Sequence, residues 1–408
     1  MSREDPPIGG SVASGFEPVR RAFENNFTRG DELGAAVAAY HNGENVVDLW
    51  GGYRDTDCTA PWTEETLVLV FSATKGVAAA GMAHAHSAGL FDFDDRVAEY
   101  WPAFGVNGKD DVTIRDLLNH RAGVAAIDGR LTPADLADRQ SLLDRLAAKD
   151  PDWTPGTRHG YHAFSLGWYA SEVLRQADPE GRRLPTYLQQ ELLSPLDAEF
   201  YIGLPRAVDS ERVAEVESFG VRDLLTNIQG FPPRMLLSLA NPWSLTTRAL
   251  SPFEMSSPAA LNAPEWRQHE IPAGNGIGRV RDLARLYGDL AVGGDIVGLD
   301  AATFDELRFT PPPPPGGSTD MVLKTETLYS LGYWKPFAGY SFGSSAAFGA
   351  PGAGGAFAFA DPERGVGFAY APNRMGTRIW DDPREAALRD AVLDCLDAHG
   401  SRTASPSN

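Results

Sequence analysis

Alternating apolar and polar positions mark two short runs near the start of the chain, Gly34 to His41 and Val46 to Tyr53, on either side of Asn42-Gly43. Asn-Gly supplies the left-handed conformations that a tight connection needs, so the pattern predicts an antiparallel hairpin. Val68, Val70 and Phe71 lead into Ser72. The segment that follows, Gly76 to His86, is dense in Ala and Met and free of Pro, which predicts a helix beginning near Ser72. From about Asp111 to Val292 the apolar spacing turns helical, with segments at Ile114 to Leu118, Pro133 to Ala147, Ser165 to Gln176, Leu184 to Leu193 and Arg279 to Ala291. Thr310 to Gly317 contains five consecutive prolines and reads as a stiff exposed connection. Strand patterns then return at Leu328 to Lys335, Gly354 to Ala360 and Gly365 to Ala371, before a closing helix from Arg384 to Ala398.

Sheet at both ends with helices between them predicts a two-part α/β architecture of the α+β type. Residues 1–110 and 295–408 would form one domain, an antiparallel sheet flanked by helices. Residues 111–294 would form a mainly helical insert, with a cleft between the two parts where small-molecule chemistry is commonly housed. The chain has 408 residues, 43% of them hydrophobic, enough for a substantial core. Its formal charge of −19 repels phosphate backbones and anionic membranes, and no basic patch opposes it, so neither nucleic acid nor membrane is expected as a partner. The two cysteines, Cys58 and Cys395, are too far apart in sequence to suggest a disulfide framework or a zinc motif. Met1 to Gly15 has neither a basic start nor an apolar stretch of secretory type, and no apolar run approaches the ~20 residues of a membrane span, so a cytoplasmic location is expected.

Two serine motifs compete as nucleophile. Phe71-Ser72-Ala73-Thr74-Lys75 is a Ser-x-x-Lys at a strand-to-helix transition. Positions i and i+3 share a helix face, so the Lys75 amine can reach the Ser72 hydroxyl, and the helix N-terminus favours negative charge during attack. A desolvated lysine can lose its proton and act as base. Lys75 is one of only five lysines in a chain that otherwise uses arginine. The rival, Gly339-Tyr340-Ser341-Phe342-Gly343, matches a nucleophile elbow. The elbow requires a helix directly after the serine, and Ser344 to Gly355 is too rich in Gly and Pro to supply one; its only downstream histidine is His399. Two further patterns carry less. His84 and His86, two apart on a helix, diverge and cannot converge on one metal ion. Gly274-Asn275-Gly276-Ile277-Gly278 lacks the βαβ context of a phosphate loop and reads as the lead-in to the Arg279 helix.

Taken in order, the motifs resemble those of the serine β-lactamase, penicillin-binding-protein and family VIII carboxylesterase superfamily over most of the chain. The resemblance is carried by Val70 to Lys75, Leu90 to Asp95 before Tyr100-Trp101-Pro102, Thr113 to His120 with Gly123, and Trp153-Thr154-Pro155-Gly156 leading to Tyr161. It implies the β-lactamase/transpeptidase-like fold and a second catalytic element at Tyr161-His162-Ala163, where Tyr161 would exchange protons with Lys75 as a coupled pair. Which of the two is the base stays open. The third element corresponds to Phe348 to Gly355, and here Ala350 stands where the family usually has lysine or histidine. The backbone N–H groups of Ser72 and Ala353 would form an oxyanion hole, Gly352 and Gly354 would let substrate approach the strand edge, His162 would line the cleft, and Gly274 to Gly278 would line one edge of it.

With Ala350 and Ala163 lacking the family's polar anchors, the site is expected to be apolar, with Phe71, Phe164 and Trp334 nearby. That suits an ester with an uncharged acyl group. The implied activity is a carboxylesterase acting on a small-molecule ester through an acyl-enzyme on Ser72, with no metal or organic cofactor. An acyltransferase, a β-lactamase or D-amino-acid peptidase, and a non-catalytic binding protein remain as alternatives. Neither the natural substrate nor the oligomeric state is expressed in the sequence.

Overall fold

The computed structural model describes residues 6–220 and 230–403. Its centre is an eight-stranded antiparallel sheet with spatial order β1-β3-β2-β11-β10-β9-β8-β7, in which β1 is Ile8–Val12, β2 Gly34–His41, β3 Glu44–Gly52, β7 Tyr329–Ser330, β8 Tyr333–Trp334, β9 Phe348–Pro351, β10 Phe357–Asp361 and β11 Val366–Pro372. The two ends of the chain meet where β2 pairs with β11 along seven consecutive positions, from His41 opposite Val366 to Ala35 opposite Pro372. A small second sheet, β4 (Val68–Leu69), β6 (Gly276–Gly278) and β5 (Phe200–Ile202), joins the nucleophile strand to the middle of the chain.

The strands divide large from small residues. Val37 on β2, Phe357 and Phe359 on β10, and Phe368 and Tyr370 on β11 point to one face, where they pack with Val19, Phe23 and Phe27 of the Glu17–Thr28 helix and Leu388 and Val392 of the Pro383–Thr403 helix. Alternate positions Ala36, Ala38, Ala358, Ala360, Ala369 and Ala371 face the other way. Burying each large aromatic contributes about 1.5–3 kcal/mol, so the first face anchors the sheet. The alanine face lets helices come close. A Cβ on Gly367 of β11 would lie 2.1 Å from the Gly288 amide nitrogen, so the Val280–Ala291 helix rests almost directly on the sheet backbone. That helix falls within the 111–294 span but packs on β2, β10 and β11, which corrects its assignment to the helical insert.

Four other readings differ. Residues 8–28, to which the sequence patterns assigned no element, form β1 and the Glu17–Thr28 helix, whose signal was Pro18 in the first turn and Val19, Phe23 and Phe27 four apart. Pro133 to Ala147 is two helices, because Asp138 leaves helical geometry and accepts the Ser141 amide to cap the second. Leu328 to Lys335 is a hairpin of two short strands rather than one strand. Its corner residues Leu331 (φ 48°) and Gly332 (φ 90°) are both left-handed, and the Leu331 and Gly332 amides bond to Asn119 Oδ1 and Leu118 O, which pins a conformation leucine seldom takes. Gly276–Gly278, read as a helix lead-in, is the middle strand of the small sheet. No helix among the described residues is long and apolar enough to cross a membrane.

Candidate active site

Ser72 stands at the end of β4. The Val70 amide bonds to Gly276 O (2.9 Å), and the chain then tightens into a single 3₁₀ turn, Phe71–Ala73, before the Thr74–Ser87 helix. Phe71 takes a left-handed conformation (φ 48°) to make this corner. Thr74 holds it: its hydroxyl donates to Phe71 O and accepts the Gly276 amide at 2.7 Å. Strain of this kind persists only where surrounding bonds over-determine it. The helix that follows is buried on nearly every side, which explains its dense Ala and Gly content. A Cβ on Gly76 would fall 1.7 Å from the Tyr287 hydroxyl, so only glycine fits there.

Lys75 Nζ lies 3.0 Å from Ser72 Oγ and 2.8 Å from Ala273 O. The carbonyl is presented by a turn that Asn275 closes from inside, accepting the Ile271 amide and donating to His269 O. Lys75 is 2% exposed, and burial drives its pKa well below the ordinary lysine range, with no carboxylate opposing it. Tyr161 completes the group. Its ring lies 4.7 Å from Lys75 Nζ, and burial and the Asp320 carboxylate push its pKa up, while the Ser72 hydroxyl and the Trp334 indole act the other way. Asp320 is itself buried, held by Tyr329 Oη at 2.8 Å and by the Val322 and Leu323 amides at 2.7 Å each.

On the opposite side, Gly352 to Gly355 abut the serine turn. A Cβ on Gly352 would lie 2.3 Å from Val70 O and 3.2 Å from Ala73 N, so glycine is required for this contact. Ala353 is exposed, Gly354 is left-handed (φ 84°), and the Ser72 and Ala353 amides donate to no protein acceptor among the described residues. Ala350 is buried with its methyl toward Gly76, and Ala163 is buried too.

The structure therefore brings together Ser72, Lys75, Tyr161, Phe71, Gly352, Ala353 and Gly354. Trp334 is buried and reaches the group through Tyr161, its ring edge-to-face at 5.8 Å. His162 does not line the cleft. Its Nε2 accepts the Val124 amide (3.1 Å) and its Nδ1 donates to Gly160 O (2.7 Å), so neither ring nitrogen is left for a substrate. Thr74, Ala273 and Asn275 were given no role in the sequence; their signals were the Ser-x-x-Lys motif that contains Thr74 and the Gly274 to Gly278 run that contains Asn275. At the rival motif, Ser341 is exposed and no helix directly follows it. His84 and His86 bond separately, to Tyr187 Oη and Thr303 Oγ1, each at 2.7 Å.

An antiparallel sheet built from both chain ends, with a long buried helix leading away from the Ser72 turn, is the architecture of the β-lactamase-fold serine hydrolases. The chain belongs to the beta-lactamase family, whose model matches residues 19–392. It is 36% identical over 306 residues to the esterase/beta-lactamase LipL of Mycobacterium tuberculosis, covering 73% of this chain and 68% of that protein. Among solved structures it is similar to a family VIII carboxylesterase (35% identity, TM-score 0.84, 95% of this chain and 100% of that one). It is also similar to a penicillin-binding-protein homolog from Caulobacter crescentus (34% identity, TM-score 0.82, with the same coverage of both chains).

Proposed function

We propose that the protein is a carboxylesterase that forms an acyl-enzyme on Ser72. The observation that carries this reading is the Lys75 amine, desolvated and uncompensated, 3.0 Å from the Ser72 hydroxyl. A neutral amine takes the Ser72 proton as Oγ bonds to the ester carbonyl carbon, and the carbonyl oxygen becomes an oxyanion facing the Ser72 and Ala353 amides. Each such donor is worth about 3 kcal/mol in the transition state. The tetrahedral intermediate collapses by breaking the bond to the alcohol oxygen. Tyr161 passes its phenolic proton to that oxygen and regains one from the Lys75 ammonium, so the alcohol departs neutral. Water then attacks the acyl carbon, gives its proton to the same pair, and Ser72 leaves with a proton while the acid is released.

The substrate class follows from what is missing. With alanine at 350 and 163, no cation or amide is offered at those positions to hold a substrate carboxylate, and an uncharged acyl group is preferred over an anionic peptide or β-lactam. The similarity to an esterase/beta-lactamase and to a family VIII carboxylesterase supports the same class.

The test is turnover of a p-nitrophenyl ester series and of nitrocefin by wild type, Ser72→Ala and Tyr161→Phe. Short-chain ester hydrolysis that falls in both variants is the expected result. Dominant nitrocefin turnover would transfer the protein to the β-lactamases, and acyl transfer to an added alcohol without net hydrolysis would make it an acyltransferase.

A further inference from the structure

A cluster of buried charges lies behind the turn that carries Ala353. Arg384, at the start of the C-terminal helix, is almost wholly buried between Glu32 and Asp382, bonding Glu32 Oε2 at 3.2 Å through Nη1 and the two Asp382 oxygens at 2.9 and 3.0 Å through Nε and Nη2. The Tyr370 hydroxyl donates to Glu32 from the far side. These bonds satisfy the carboxylates, yet the guanidinium is not consumed by them. Its Nη2 also donates to Gly354 O at 2.8 Å, and Nη1 donates to Arg374 O at 2.9 Å. The Gly376 amide is a second donor to the same Gly354 carbonyl, at 2.9 Å.

The surrounding backbone is shaped to admit this cluster. A Cβ on Gly355 would lie 2.9 Å from Arg384 Nη2, and one on Gly376 would lie 2.0 Å from Asp382 Oδ2 and 2.7 Å from Arg384 Nη2. Gly354 and Gly355 are both left-handed (φ 84° and 106°), and without side chains of their own they leave the conformation between the ends of the turn loosely defined. Its backbone bonds are Gly355 N to Gly352 O, long at 3.4 Å, and Gly352 N to Ala356 O at 2.7 Å, and neither of them involves the Gly354 carbonyl. A flexible glycine turn bearing an oxyanion donor must be held from outside if the donor is to be preorganised.

We infer that Arg384 is a positioning residue for the oxyanion hole: by gripping the Gly354 carbonyl it fixes the 353–355 turn and so aims the Ala353 amide at the carbonyl oxygen bonded to Ser72. Glu32 and Asp382 keep the guanidinium in place from behind. The inference rests on the acyl-enzyme reading and adds a residue that acts through the turn, without touching substrate.

Two variants test it independently. Arg384→Lys keeps the positive charge between Glu32 and Asp382 but cannot reproduce the planar fork that reaches both Asp382 and Gly354 O. Gly376→Ala keeps every charge and pushes a methyl into the guanidinium and Asp382. For each, kcat and KM on p-nitrophenyl acetate and the affinity for phenylboronic acid are measured beside the melting temperature. The boronate binds by adding its boron to Ser72 Oγ and mimics the tetrahedral intermediate. The expected result is kcat lower by about 10-fold or more with KM within about twofold, and boronate affinity weakened in parallel, because the donor acts on the tetrahedral species and not on bound ester. Either variant, folded, with wild-type kcat and boronate affinity, or with a raised KM alone, overturns the role of Arg384. A wild type that binds no boronate and is unaffected by Ser72→Ala overturns the hydrolase reading instead, so the two failures are distinct.

Discussion

The amine of Lys75 stands 4.7 Å from the centre of the Tyr161 ring, over its face. A π face favours an ammonium. Complete burial without a counter-charge disfavours it. Desolvation is the larger effect: it drives the Lys75 pKa well below the ordinary lysine range, while burial pushes that of Tyr161 up. On the proposed acyl-enzyme mechanism these directions favour Lys75 as the base, a choice the motifs left open, with Tyr161 as the proton donor to the departing alcohol.

Replacing Lys75 by methionine removes the amine while filling the same buried space. We expect ester turnover to fall by about 10²–10⁴-fold, the usual worth of a general base. The melting temperature should hold or rise, since a desolvated amine is lost. Steady-state kinetics and calorimetry on one preparation check both; a destabilised protein with full activity would refute the assignment.

The pH dependence has a definite sign. The proposed mechanism requires neutral Lys75, whose pKa lies well below the ordinary lysine range, so kcat/KM should climb as pH rises through that lowered pKa and then level off. Tyr161 is pushed upward and adds no descending limb in the neutral range. A pH–rate profile checks this, and a profile that climbs only where exposed lysines deprotonate would contradict it.

His162 makes the fold acid-sensitive. Its neutral ring bridges Gly160 O and the Val124 amide, and burial pulls its pKa from 6.5 down to about 4. The unfolded chain therefore binds a proton first as pH falls. Stability from this residue is intact above 6.5 and is lost on the way down to about 4, a span worth about 3 kcal/mol. Melting temperatures across that range should fall more steeply in wild type than in His162→Asn; equal slopes would exclude the histidine as the cause.

Tyr287 carries a buried hydroxyl with no hydrogen-bond partner among the described residues, set against Gly76. Tyr287→Phe should stabilise the protein by about 1 kcal/mol, the lower end of the desolvation cost of an unsatisfied group. Gly76→Ala should be destabilising in wild type and less so in the Tyr287→Phe background. Denaturant unfolding of the four proteins in this cycle checks the coupling.

Much of this molecule was legible in its local patterns. The hairpin at Asn42-Gly43, the Ile114–Leu118 helix and the helix after Ser72 are written in turn chemistry and apolar spacing, which act over a few residues. Ser72 and Lys75 are three apart on one turn, so their meeting follows from helix geometry alone, and the motif resemblance added Tyr161. The pairing of β2 with β11, the place of the Val280–Ala291 helix on the sheet, and the Ala273 carbonyl beneath Lys75 came only from the tertiary structure. Each joins segments far apart in sequence, where no periodicity records which face meets which. His162 shows the same limit from the other side. A histidine beside a site tyrosine reads as a ligand contact, and only the packed fold could show that both its nitrogens are already bound to backbone. The protonation states belong to the fold for the same reason: the number of residues between Ser72 and Lys75 sets their reach, but the proton on Lys75 depends on how completely distant segments exclude water.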